Sequence, residues 1–146
     1  MDEDDTQPTL LSPERRERLF PVLTPDQISR IDTHGTRHPI ESGTILIEQG
    51  DNTMRFFVVV SGEVEIVQPG CKHENEITVH AAGQFVGDVS LLSGRRSIVR
   101  ARVRTSGEVI EVTRERVMEL IQTDVEIGDI LMRAFILRRV ELIARG

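Results

Sequence analysis

The spacing of apolar residues changes twice along the chain, from helical to alternating and back to helical. The run Ser12-Pro13-Glu14 predicts a helix start, with Ser12 able to cap and Pro13 suited to the first helical position. A stronger start follows at Thr24-Pro25-Asp26-Gln27, which offers an N-cap threonine, a proline at N1 and a glutamine placed to close a capping box. Ile28 and Ile31 then give one buried face, and Gly35 is expected to end the helix in the left-handed conformation. From Thr36 to Thr113 the pattern becomes short and β-branched. Its apolar runs are 44–47, 56–60, 64–67, 77–80, 98–103 and 109–112. Between them sit turn signals at Ser42-Gly43, Gly50-Asp51-Asn52, Ser61-Gly62, Pro69-Gly70, Ala82-Gly83 and Ser106-Gly107. Short strands at this even spacing indicate a sandwich, barrel or jelly roll, and the lack of helix-length connections argues against a doubly wound parallel sheet.

Helical spacing returns at the end. Thr113 can cap a helix through Gln122, and Thr123 or Asp124 can cap a second one over about 125–144. That last helix carries two apolar stripes. One holds Ile127, Ile130, Leu131, Ala134, Leu137 and Leu142, the other Met132, Phe135, Ile136, Val140 and Ile143. A helix apolar on two sides must be covered on two sides, so one stripe is assigned to the strands. The other is assigned to a homodimer or to another domain of the same protein.

Composition narrows the picture. With no Trp, no Tyr and five Phe, the core has to be aliphatic. No apolar run reaches the roughly 20 residues of a membrane span. Met1-Asp2-Glu3-Asp4-Asp5 is acidic where a secretion signal would be basic, and the single Cys71 offers neither a disulfide nor a Cys-x-x-Cys pair. These features predict a cytoplasmic protein with no membrane contact, in which residues 1–11 form a disordered acidic lead-in. Residues 12–146 form one domain: helices over 12–35, strands over 36–113, helices over 114–146. A net charge of −6 argues against nucleic-acid binding by this chain. Arg100, Arg102 and Arg104 share one strand face and are read as a solvated outer surface.

The order of glycines carries the most information. Glu41-Ser42-Gly43-Thr44-Ile45-Leu46-Ile47-Glu48-Gln49-Gly50-Asp51 precedes Phe56-Phe57-Val58-Val59-Val60-Ser61-Gly62-Glu63-Val64. This strand, Gly-Asp turn, aromatic-led strand and Ser-Gly corner resemble the cyclic-nucleotide-binding domain family. The resemblance implies a mainly β fold, a double-stranded β-helix of jelly-roll or cupin-like β-roll type, flanked by N- and C-terminal α-helices. A second match, Gly83-Gln84-Phe85-Val86-Gly87-Asp88-Val89-Ser90-Leu91-Leu92-Ser93-Gly94-Arg95-Arg96-Ser97, resembles that family's phosphate-binding cassette.

In such a cassette the glycine lets the chain turn sharply, and free N–H groups at a helical turn over 88–92 face an anion. A carboxylate accepts from a ribose hydroxyl, and an arginine pairs with the cyclic phosphate. The implied ligand-binding set is Phe85, Val86, Gly87, Asp88, Val89, Ser90, Leu91, Ser97 and either Arg95 or Arg96, with cAMP or cGMP as ligand. Two departures stand out: Asp88 replaces the family's longer glutamate, and the segment from Gly87 to Val99 is shorter than the family's.

Phe20-Pro21-Val22-Leu23-Thr24, Gly94-Arg95-Arg96-Ser97 and the stretch Met132–Ile143 are further similar to a bacterial subfamily of thioredoxin-reductase-like flavoproteins, where such a β-roll is an N-terminal extension. That likeness implies FAD and NADPH in a following reductase domain and no cofactor in this chain. Within the chain no catalytic or metal-binding residue is expected. There is no Gly-x-Gly-x-x-Gly, and no serine stands beside a base in a recognisable motif. His34, His38, His73 and His80 are scattered, and His80 is read as an ordinary strand residue. The expected function is a regulatory ligand sensor. The alternatives are a β-roll that has lost nucleotide binding and serves dimerisation or docking, or the effector domain of a catabolite-activator-type transcription regulator.

Overall fold

A computed structural model describes residues 13–52 and 54–145, the side chain of Arg145 excepted. The acidic lead-in and the Ser12 cap lie outside the described residues. Helices α1 (Pro13–Leu19) and α2 (Pro25–Asp32) come first. They are followed by strands β1 (Thr36–Ile40), β2 (Ile45–Ile47), β3 (Arg55–Pro69), β4 (Glu74–His80) and β5 (Phe85–Val86). A single turn, α3 (Ser90–Ser93), leads into the long strand β6 (Arg100–Thr113), and α4 (Arg114–Thr123) and α5 (Val125–Arg145) close the chain. The sheet order is β1-β6-β3-β4, with β2 on β6 and β5 on β3, and every pairing is antiparallel. This is the expected mainly β roll between flanking helices. Among the described residues no helix is long and apolar enough to cross a membrane.

The continuous apolar run of β3 follows from burial on both faces. Phe56 and Val58 point to the helices, where they meet Phe85, Leu91, Ile110, Val112, Leu131 and Phe135. Phe57 and Val59 point into the roll, onto Val64, Val86, Ala101, Val103 and Val109. The roll therefore has two cores, one inside it and one under its helical cover.

The structure corrects three expectations. The Ser61-Gly62 and Ser106-Gly107 signals do not reverse the chain. Both lie inside continuous strands, β3 and β6, where they form a bulged crossing with register shifts at Val59/Ser61, Ser61/Glu63 and Glu63/Val64. Gly62 takes φ +83°, which a bulge demands as much as a turn does. Gly35 is not left-handed; α2 ends on Thr33 in a right-handed cap. Gly35 is small for another reason: a Cβ there would lie 2.7 Å from the Glu111 carbonyl oxygen. Phe135, grouped above on one stripe with Ile136, Val140 and Ile143, parts from them: it is fully buried between Phe56 and Phe85.

Local signals that need no distant partner come out as read. Thr24 and Gln27 form a complete capping box. Asp124 caps α5 by accepting from the Ile127 N–H at 3.2 Å. Arg30 then fixes the start of α5: its guanidinium donates to both Asp124 carboxylate oxygens, at 3.0 and 2.8 Å, and to Glu126. The Arg100–Arg102–Arg104 face is ion-paired. Arg100 binds Glu48 and Glu74, Arg102 binds Glu65 and Glu74, and Arg104 lies 3.8 Å from Glu76.

Candidate functional site

The cassette hangs from the sheet. Val86 pairs with Phe57 and Phe85 with Val58, and the chain then leaves the ladder at Gly87. A Cβ on Gly87 would come within 3.3 Å of both Phe56 and Phe135, so the backbone passes close to the aromatic core. Asp88 faces its own turn: Oδ1 accepts from the Ser90 N–H at 2.9 Å and from the Ser90 hydroxyl. Its Oδ2 lies 3.5 Å from the Arg139 guanidinium. The helical turn is therefore later than expected, at 90–93, and is stopped by Gly94.

Under this segment lies a cavity of about 90 Å³. The roll contributes Ile47, Ile66, Ile77, Val86, Val99 and Ala101, which are aliphatic, with Thr78 and His80. The cassette contributes Gly87, Asp88, Ser90 and Ser97. Arg16 and Leu19 of α1 and Phe20 just after it close it from the N-terminal side, and Arg138, Glu141 and Leu142 close it from α5. Of the sequence-predicted set, Val86, Gly87, Asp88, Ser90 and Ser97 thus meet at one cavity. Phe85, Val89 and Leu91 pack into the helical core instead. Arg95 and Arg96 are exposed and line no part of the cavity; Arg96 donates to the Gly50 carbonyl at 2.9 Å. Ser97 is buried and bonds locally, its hydroxyl donating to the Val99 carbonyl at 2.8 Å.

Two buried polar residues of the cavity, Arg138 and His80, were not among the expected set. Arg138 is 7% exposed. Its Nε donates to the Leu19 carbonyl at 2.7 Å, and Nη1 donates to the carbonyls of Phe85 and Gly87, both at 2.9 Å. The guanidinium lies over the Phe85 ring at 4.5 Å and near Phe20 at 5.5 Å. Burial lowers its pKa to about 9, opposed by the Asp88 carboxylate. His80, the last residue of strand β4, is buried beside it; burial first and the Arg138 charge second push its pKa well below 6.5. The sequence signal for Arg138 was its place on the buried stripe of α5, four residues after Ala134 and four before Leu142.

An apolar recess with a few convergent polar groups, closed by a helix, is the geometry of a small-ligand site. Among the described residues no group of three His, Cys, Asp or Glu side chains is placed to hold a metal ion. The cyclic nucleotide-binding domain model matches residues 37–124, and the chain belongs to that family. It is similar to the CRP-like protein Clp of Xanthomonas campestris, 32% identical over 108 residues, which is 70% of this chain and 46% of Clp. It is also similar to the cGMP-dependent protein kinase egl-4 of Caenorhabditis briggsae, 31% identical over 106 residues, 70% of this chain and 14% of the kinase. Its fold matches the crystal structure of the Thermus thermophilus catabolite activator protein with a TM-score of 0.69 at 23% identity, over 87% of this chain and 60% of that one. The chain spans less than half the length of these two curated relatives. It is a regulatory domain of cyclic-nucleotide-binding type.

Proposed function

We propose that this domain is a cytoplasmic sensor in which a small anionic ligand fills the cavity and α5 reports its presence. The observation that carries this reading is the shared wall: roll, cassette and α5 all line one space, so an occupant touches the outgoing helix directly. The first candidate ligands are cAMP and cGMP, framed by residues 85–91 and Ser97. Arg95 or Arg96 would have to move in from the exposed loop to reach them.

In the whole protein, the likeness of Phe20–Thr24 and Met132–Ile143 to the reductase extensions supports a regulatory N-terminal domain on a thioredoxin-reductase-like flavoprotein. FAD and NADPH would then belong to the reductase domain. The similarity to Clp favours a second reading, the effector domain of a transcription regulator. A dinucleotide-binding glycine fingerprint elsewhere in the full-length protein supports the first, and a helix-turn-helix supports the second. The acidic balance of this chain leaves DNA contact to such a separate domain.

Calorimetric titration with cAMP and cGMP tests the sensor reading. Micromolar binding is expected, and Arg95→Ala and Arg96→Ala then show whether either loop guanidinium takes part. No heat at millimolar concentrations of either nucleotide removes them as ligands and favours a docking role for the roll.

A further inference from the structure

We propose that Arg138 on α5 is the cation that meets the acid group of the ligand in this cavity. The ligand is accordingly an anion on an apolar body: the cyclic phosphate of a nucleotide or the carboxylate of an apolar acid. The inference rests on the cavity being the ligand site.

Both carboxylates that line the cavity already have partners. Asp88 is engaged by Ser90 and Arg139, and Glu141 by Arg15 at 3.1 Å. Arg16 is exposed and lies against Phe20. Arg138 is the one charged side chain among the buried residues described. It donates to three neutral carbonyls and to no carboxylate, and its Nη2 has no hydrogen-bond partner.

A guanidinium removed from water is costly, and carbonyl dipoles and ring faces offset only part of that cost. A charge-assisted bond to an anion would recover more of it. The lowered pKa of Arg138 reflects the same deficit. The cassette arginines, by contrast, stand outside the cavity. Ile47, Ile66, Ile77, Val86, Val99 and Ala101 form an aliphatic face of the wall, which favours an apolar body behind the acid group.

The test is nitrogen-15 NMR of the arginine Nε–Hε groups of the whole chain, titrated separately with cAMP, cGMP and octanoate. Binding by a nucleotide or by the fatty acid identifies the source of the anion. In either case the Arg138 resonance is expected to shift, and Arg138→Lys to weaken binding about tenfold or more. Binding that leaves the Arg138 resonance in place, or unaltered affinity in a folded Arg138→Lys protein, overturns the assignment while the sensor reading stands. If Arg138→Lys does not fold, the wild-type resonance alone decides. The absence of binding by all three compounds overturns the sensor reading and the assignment with it.

Discussion

His80 has to be neutral in the folded chain, because it is buried beside the Arg138 guanidinium. Its folded pKa lies well below the 6.5 of the unfolded chain, so the unfolded state takes up the proton first as pH falls. Stability is therefore fully present above pH 6.5 and declines as pH drops toward the folded pKa. One proton gives a slope of at most about 1.4 kcal/mol per pH unit. The lowered carboxylates Glu48, Glu74 and Glu126 act below their ordinary value of 4.5, so they leave the window between pH 6.5 and 5 to histidine. Thermal melts across that window should show a falling midpoint in the wild type, flattened in His80→Leu. Equal slopes in the two proteins would contradict a neutral buried imidazole. Neither His80 nor Arg138 was legible as a cavity residue from the sequence. A polar residue on an apolar stripe marks burial, but what lies opposite it is set by strands and loops more than fifty residues away, such as Phe85 and Gly87.

At the scale of the element, β3 and β6 cross so tightly at the bulge that Gly107 has no room for a side chain. A Cβ there would sit on the Ser61 carbonyl and 2.6 Å from the Gly62 nitrogen. Gly43 is the contrast: φ is +94°, yet nothing lies within 4 Å of the Cβ position. Gly43→Ala should cost about 1 kcal/mol through backbone strain alone, and Gly107→Ala about 3 kcal/mol or more through forced movement of the ladder. Urea midpoints would rank them, and equal losses would show that the crossing can relax. The same glycines explain why the sequence pattern placed the strands well and joined them wrongly. A bulge and a chain reversal both call for glycine, and only the partner strand some 45 residues away distinguishes them. The capping box at Thr24 suffered no such ambiguity, since both its bonds close within three residues.

For the whole molecule, the consequence of α5 is that one helix serves two surfaces. Ala134, Phe135, Arg138 and Leu142 face the roll and its cavity, whereas Ile136, Val140 and Ile143 are 50%, 50% and 66% exposed and lie at i, i+4 and i+7. We propose that a second copy of the same helix covers this aliphatic stripe, with another domain of the same protein as the alternative cover. Sedimentation equilibrium should then show a dimer that Val140→Glu converts to a monomer with an unchanged circular dichroism spectrum. Glutamate at Phe135 would instead break the core, because that ring is enclosed by Phe56 and Phe85. A wild-type chain that stays monomeric at high concentration would assign the stripe to another domain of the same protein. Because Arg138 and the outward pair Ile136 and Val140 share little more than one helical turn, ligand and partner should be linked. Any ligand that displaces α5 must change the dimer constant, and dimerisation must change ligand affinity by the same factor. Measuring cAMP affinity in the wild type and in Val140→Glu tests this reciprocity, and equal affinities in a protein that does dimerise would show that α5 bears two surfaces without coupling them.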